Sequence, residues 1–250
     1  MWTVVGYSES VDQAASYNAM NALPDSHVTV VGTRIYIPTL SYLFGYAINN
    51  EGTAYCGAYF DSPSLRRVAL LDAATVASSI TSVGKPEANI FPLSPVKLSP
   101  NEGIECYICD NPAAAAEQSA LIFLSDGLIA PVSGEIFTVQ ATAAITRVAN
   151  AWANGAITFR QTLPVGRYQV VGARCWGTNL NYFRFVPVGY AYRPGGIACN
   201  TAAMQEPEIQ RYGGLGVWFE FDSITPPTLD IYGNAACTAQ TLQMDLIKIA

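Results

Sequence analysis

Charge and histidine are what this chain has least of. Only 13% of its 250 residues are Asp, Glu, Lys or Arg, about half the ~25% usual for a soluble protein. His27 is the sole histidine. Sparse charge with 50% apolar residues excludes a disordered chain, which needs low hydrophobicity and high net charge. A basic stripe is also missing. The net charge is −6 and Arg66-Arg67 is the one adjacent basic pair, so direct sequence-specific nucleic-acid binding is not expected. The apolar runs, such as residues 120–124, fall far short of a ~20-residue membrane span. The first residues show neither a basic n-region nor an apolar h-region, and the expectation is a soluble protein made in a cytoplasm.

What the chain has in quantity is Tyr (14), Phe (10), Gly (20) and Pro (15), residues of strands and turns rather than helix bundles. Its charge is uneven. Residues 1–125 hold 5 basic and 11 acidic groups, and residues 126–250 hold 8 of each. A surface so poor in charge suits a chain that loses much of it to neighbouring subunits, because charge is depleted at interface cores.

Residues 217–222 put Val217, Phe219 and Phe221 on one face and Glu220 and Asp222 on the other, and residues 242–246 set Leu242, Met244 and Leu246 against Gln243 and Asp245, as strands do. Residues 103–109, 136–145, 156–161 and 183–188 are further strand candidates, separated by punctuation such as Arg193-Pro194-Gly195-Gly196 and Thr225-Pro226-Pro227. Short strands without βα alternation indicate sandwiches or barrels.

The chain also echoes itself. Leu23-Pro24, Val30-Val31-Gly32, Arg34, Leu40 and Tyr42 recur as Leu163-Pro164, Val170-Val171-Gly172, Arg174, Leu180 and Tyr182, all at an offset of 163 − 23 = 140. The pattern predicts a turn, a strand over residues 27–36 or 168–176, and a second strand; the shared glycine suggests a bulge or a close backbone approach. A weaker echo relates Glu117-Gln118-Ser119-Ala120-Leu121 to Ala239-Gln240-Thr241-Leu242 at an offset of 240 − 118 = 122. The difference leaves spare residues in the first half. Ser62 and Pro63 provide an N-cap and first helical position, predicting a helix over residues 64–79. The expectation is all-β: two tandem jelly-roll barrels or sandwiches, residues 1–127 and 128–250, with a short helix inserted in the first.

No group stands out as catalytic, cofactor-binding or metal-binding, and no cofactor is expected. His27 reads as a turn residue, since its neighbours Asp25 and Ser26 do not converge along an extended chain. Cys106 and Cys109 form a CxxC without a second ligand pair, and a strand would point them to opposite faces; the six cysteines read as reduced, buried thiols. The pairs Glu102/Glu105 and Glu206/Glu208 read as solvated, short of the flanking geometry of a glycosidase. Gly213-Gly214-Leu215-Gly216 precedes a strand rather than opening a helix, which disfavours a phosphate cradle. The run from Trp176 to Tyr182-Phe183-Arg184-Phe185 reads as core and interface rather than a stacking platform.

The stretch Leu163-Pro164-Val165-Gly166-Arg167-Tyr168-Gln169-Val170-Val171-Gly172-Ala173-Arg174 is similar to the second-domain pattern of virion proteins from tailless bacterial viruses. So are Tyr192-Arg193-Pro194-Gly195-Gly196, Gly213-Gly214-Leu215-Gly216-Val217-Trp218-Phe219-Glu220-Phe221 and Thr225-Pro226-Pro227-Thr228-Leu229-Asp230. The chain thus resembles the double jelly-roll major capsid proteins of tailless icosahedral viruses, including Finnlake-type phages, over residues 163–249. The resemblance implies a structural, non-enzymatic protein. Its homotrimers would tile an icosahedral shell as pseudo-hexamers, beside neighbouring capsomers and minor capsid or spike proteins, often over an internal membrane. It implies a location in the virion, after synthesis in the host cytoplasm. The acidic first half and its helix would then meet different neighbours from the second, and the Pro-rich residues 92–100 would form an inter-subunit loop. Two rivals differ in class. One is a tandem β-sandwich cell-surface or fibre protein that binds carbohydrate. The other is a bicupin-like enzyme, whose His/Glu metal set one histidine cannot supply.

Overall fold

A computed structural model describes residues 1–9, 17–25, 28–37, 39–50, 56–68, 71–75, 87–108, 118–200, 207–233 and 235–249. The chain divides into two compact units, Val5–Leu128 and Ile129–Ala250, the latter also taking in Met1–Val4.

The first unit contains β1 (Trp2–Glu9) from Val5 onward, its first residues Trp2–Val4 belonging to the second unit, then β2 (Asn18–Ala19), β3 (Asn21–Ala22), β4 (Thr29–Val31), β5 (Arg34–Ile37), β6 (Tyr42–Asn50), β7 (Cys56–Asp61), helix α1 (Pro63–Val68), β8 (Leu71–Thr75), β9 (Glu87–Ile90), β10 (Val96–Lys97), β11 (Glu102–Ile108) and β12 (Gln118–Ser125). One sheet runs β10-β6-β12-β1-β3, with β9 also on β6; the other runs β4-β5-β11-β7-β8, with β2 on β11. The buried rings of Tyr7, Phe44, Tyr46, Phe60 and Phe123 fill the space between. The Tyr7 hydroxyl crosses that core and donates to the Ile104 carbonyl on the opposite sheet at 2.9 Å, meeting the need of a buried phenol for a partner.

The second unit contains β13 (Phe137–Ala143), β14 (Ala153–Phe159), β15 (Arg167–Gly177), β16 (Leu180–Val186), β17 (Gly195–Ile197), β18 (Cys199–Asn200), the short 3-10 turn Glu208–Gln210, β19 (Phe219–Asp222), β20 (Thr228–Gly233) and β21 (Gln240–Lys248). They form one curled sheet, β17-β16-β20-β14-β13-β21-β15-β18, with β19 on β15. Phe183, Phe185, Trp218, Phe219 and Trp2 pack edge to face and stacked inside it.

Both units are jelly rolls. Counting the principal strands of the first unit as β1, β5, β6, β7, β8, β9, β11 and β12, its two sheets read first-eighth-third-sixth and second-seventh-fourth-fifth. The strands β13, β14, β15, β16, β17, β19, β20 and β21 give the same two orders, the double Greek key of a jelly roll. The chain is therefore all-β, with a short helix in its first half.

Three details of the sequence reading change. The helix spans Pro63–Val68, shorter than residues 64–79. Its start is as expected, with Ser62 Oγ accepting the Leu65 amide at 3.2 Å. Beyond it Leu71–Thr75 is a strand, paired with β7 from Cys56↔Thr75 to Phe60↔Leu71; a short apolar run fits either period, and tertiary pairing decides. Residues 69–70 and 76–79 lie outside the described residues. Next, the expected strand over residues 27–36 is a hairpin, with Val31 paired to Arg34 across Gly32-Thr33 and Gly32 at φ +63°, as a two-residue turn requires.

Most consequentially, the offset of 140 joins strands that are not equivalent. It lays the β4–β5 hairpin on the continuous strand β15, and β6, a third principal strand, on β16, a fourth. The weak offset of 122 is the structural one. Phe123 and Leu124 pair with Gly45 and Leu43, leaving Phe44 as a bulge; Asp245 and Leu246 pair with Gly172 and Val170, leaving Val171 as a bulge. Each bulge sits between third and eighth strands and is followed by a glycine. A Cβ on Gly172 would lie 2.6 Å from Asp245 Oδ2 and 2.8 Å from the Tyr212 nitrogen; on Gly32 it would meet nothing within 4 Å.

The two glycines of the shared Val-Val-Gly motif should therefore respond oppositely. Gly172→Ala is expected to lose ~1–3 kcal/mol, the range of an overpacked core. Gly32→Asn should be nearly neutral, because Asn tolerates the left-handed region. Urea unfolding of both variants checks this, and equal losses would contradict it.

Candidate functional site

The most highly organised polar group in the second unit is built on Asp245. Along β21 Leu242, Met244 and Leu246 enter the core, so alternation turns Gln243 and Asp245 to the opposite face. Asp245 lies between Thr138 on β13 and Gly172 on β15. Gly172 has no side chain, which leaves room for residues 207–216 to cross over the sheet. That segment is fixed by the Gly213 amide donating to Val171 O at 2.7 Å. It is fixed again by the buried Gln210 side chain, which accepts from the Ile197 amide at 2.8 Å and donates to its carbonyl at 3.1 Å.

Beneath the segment the Asp245 carboxylate accepts from Arg211 Nε (2.7 Å), Arg211 Nη2 (2.8 Å), Thr138 Oγ1 (2.7 Å) and the Tyr212 amide (3.1 Å). Burial alone would raise its pKa. The hydrogen bonds from Arg211, Thr138 and Tyr212, with the Arg211 charge, outweigh that and hold it below its ordinary value. Arg211 also stacks over the Tyr212 ring, 4.7 Å from guanidinium carbon to centroid. Tyr212 itself has φ +50°, a conformation that is an outlier for a bulky residue. Arg174, Glu208, Arg211, Tyr212 and Gln243 line a cleft of about 490 Å³ here.

A second cleft, of about 320 Å³, lies at one end of this unit between Arg167, Val188, Tyr190, Glu220, Phe221, Asp222 and Thr225. Arg167 and Glu220 bridge it at 2.6 Å. Val165, Val188 and Ile224 near it are 79%, 65% and 76% exposed. Arg184, on the outer side of β16, is buried with Asp230 at 2.8 Å and lies 4.3 Å over Trp152.

In the first unit Glu102 and Glu105 depart from the solvated reading. Both are buried on β11. Glu102 accepts from the Ser64 and Ser99 amides, each at 2.6 Å, and from the Ser64 hydroxyl, tying the start of α1 to the sheet. Glu105 accepts from Arg34 at 3.0 Å, from Tyr107 at 3.0 Å and from the Thr33 hydroxyl. Burial pushes both carboxyls up, and these hydrogen bonds bring them below their ordinary values. Being three apart on a strand they diverge, so they do not share a cleft. The sequence signal was weak: only Asn101, at φ 54°, marks the turn that sets Glu102 on Ser99.

His27, Cys109 and Glu206 lie outside the described residues, and Glu208 is exposed beside the larger cleft. Cys106, Cys175, Cys199 and Cys237 are buried free thiols. Tyr182, Phe183, Arg184 and Phe185 are all buried. Gly213-Gly214-Leu215-Gly216 belongs to the covering segment, with Gly213 and Gly216 at φ +83° and +67°. The Asp245–Arg211 pair went unremarked in the sequence, because 34 residues separate its members.

Strand order thus makes this a tandem jelly-roll protein. No protein-family model matches the chain, and no curated protein matches it in sequence. Among solved structures it has distant neighbours. One is the PBSX exported protein XepA, with 12% identity, a TM-score of 0.26, and coverage of 96% of this chain and 86% of that one. Another is the major capsid protein P2 from bacteriophage PM2, with 10% identity, a TM-score of 0.24, and coverage of 100% and 98%.

Asp245→Asn is expected to cost ~3–5 kcal/mol, because it strands the buried Arg211 charge. The pH dependence has a definite sign. Asp245 titrates lower folded than unfolded, so its stabilisation is complete above its unfolded pKa of ~3.9 and fades as pH falls through the folded value. The wild-type protein should lose stability across that acidic window, and Asp245→Asn should lose less of it. Chemical denaturation at a series of pH values measures both; parallel curves would refute the assignment.

Proposed function

We propose that the chain is a structural virion protein, the major capsid protein of a tailless icosahedral bacteriophage. Three copies would make a pseudo-hexameric tile of six jelly rolls. The observation that carries this reading is the duplication of one jelly-roll topology in a single chain. Jelly rolls are a recurrent capsid architecture. A closed three-fold arrangement of doubled units sets six similar rims about one axis, satisfying a near-hexagonal neighbourhood with three identical contacts.

Other features support it. A chain with 13% charged residues is suited to extensive subunit contact, and Val165, Val188 and Ile224 give the second unit exposed apolar points. The uneven charge of the halves lets otherwise similar units make different contacts. Neighbouring capsomers, a minor capsid or spike protein and an internal membrane belong to the same reading, as does a place in the virion after synthesis in the host cytoplasm. So does kinship with Finnlake-type phages, which rests on the motifs within residues 163–249. The rival, a carbohydrate-binding surface protein, needs no such assembly.

Native mass spectrometry and negative-stain electron microscopy of the purified full chain distinguish them. The expected result is trimers at three times the chain mass, passing into sheets or shells at high concentration. A protein that remains monomeric at every concentration would overturn the capsid reading.

A further inference from the structure

Three loops meet at one end of the second unit, and each presents an aliphatic side chain outward. Val165 lies in the loop before β15, Val188 in the loop after β16 and Ile224 in the loop after β19, and each is at least 65% exposed. The loops are held together. The Ser223 amide donates to the Gly166 carbonyl at 3.0 Å, and the Gly166 amide donates to Ser223 Oγ at 3.1 Å. Arg167, Val188 and Thr225 line one cleft between them. Just beyond β21, the exposed Ile249 joins the same end, its amide donating to the Arg167 carbonyl at 3.0 Å. These side chains fill no core. Holding aliphatic groups in water on fixed turns is unfavourable, and a contact that covers them recovers that free energy.

We infer that this end of the second unit docks on the surface of a zwitterionic lipid bilayer, with Val165, Val188 and Ile224 inserted into its acyl region. Exposed apolar points serve either a protein contact or a lipid surface, and the setting of these three selects lipid. Contact with acyl chains demands that backbone polar groups be satisfied internally. Prolines have no N–H to desolvate, and they adjoin every tip: Pro164 precedes Val165, Pro187 precedes Val188, and Pro226-Pro227 close the third loop. Other backbone groups are paired within the loops. The Ile224 amide donates to Asp222 Oδ1 at 3.0 Å, the Thr225 amide to the Asp222 carbonyl at 2.9 Å, and the Tyr168 hydroxyl to the Pro164 carbonyl at 2.7 Å. Residue type agrees. Protein hot spots are rich in Trp, Tyr and Arg and poor in Val, whereas these tips are aliphatic and stand apart around a polar cleft, an outline that fluid lipid can follow. Charge completes the match. Arg167 pairs with Glu220 at 2.6 Å. The half-buried Asp222 and the exposed Lys248, opposite Tyr168, add one charge of each sign. With no surplus of positive charge to hold anionic lipid, the surface complements headgroups that carry both signs.

The inference gives a docking surface to the membrane of the capsid reading, but it stands on the loops themselves and is tested apart from assembly. The purified full chain is mixed with phosphatidylcholine vesicles, with or without phosphatidylglycerol, and floated on a density gradient at low and high salt. Native mass spectrometry of the same samples records the assembly state. Wild type should float with phosphatidylcholine alone, equally at both salt concentrations. The combined variant Val165→Ser, Val188→Ser and Ile224→Ser should bind at least roughly tenfold more weakly. Its melting temperature and assembly state should hold, because all three positions are exposed. Val188→Trp should bind more tightly, since Trp favours the membrane interface, and its added fluorescence should be quenched by bromine-labelled acyl chains. Wild-type protein that assembles without floating overturns this inference and leaves the capsid reading standing; protein that floats but stays monomeric does the reverse. Flotation confined to anionic vesicles, undiminished flotation of the triple variant, or a triple variant that loses assembly instead of vesicle binding would each overturn the docking surface.

Discussion

In each unit the last principal strand lies between the first and the third. β12 runs between β1 and β6, and β21 between β13 and β15. Until that strand arrives the first and third strands have no partner between them, and the facing sheet has nothing to close against. Everything else follows from this insertion: burial of the aromatic core, the bulge that bends the third strand, and the glycine beside it. Such pairings join residues far apart in sequence, from Trp176 with Thr241 to Phe137 with Leu246, so the loop-closure cost comes before the contacts that repay it.

The second unit adds a polar anchor on the outer side of the same strand. Asp245 could be placed there only with all its acceptor capacity used, because a buried unpaired carboxylate is strongly unfavourable. Arg211, Thr138 and the Tyr212 amide satisfy it, and in doing so they fix residues 207–216 across the sheet. The first unit solves a related problem with Glu102 and Glu105, each using strand-borne carboxylates to hold a neighbouring turn or helix start. In both units some of the scarce charges thus fasten irregular segments to regular ones.

Much of this was legible beforehand. Alternation at residues 217–222 and 242–246 and the Ser62-Pro63 helix start depend on local periodicity and on capping, which act over a few residues. The repeat shows the limit of that reading. Leu-Pro, Val-Val-Gly and the later Leu and Tyr describe any turn and strand pair, and they fit a hairpin around Gly32 as well as a bulged strand around Gly172. The fainter likeness of Gln118 to Gln240 marked true equivalence because it lies on the closing strand, where register is set by two neighbours at once. The helix overran its bounds for a similar reason: Leu71–Thr75 fits either period until β7 pairs with it.

The sequence by itself determined that this would be an all-β chain and that few charges would reach the surface, because these follow from side-chain type and spacing. Only the tertiary structure decided which strands are equivalent, that Glu102 and Glu105 are buried, and that Arg211, Tyr212 and Asp245 meet over Gly172. Those outcomes depend on partners brought together from distant parts of the chain, and the free energy of burying a charge or bending a backbone exists only once the partners are in place.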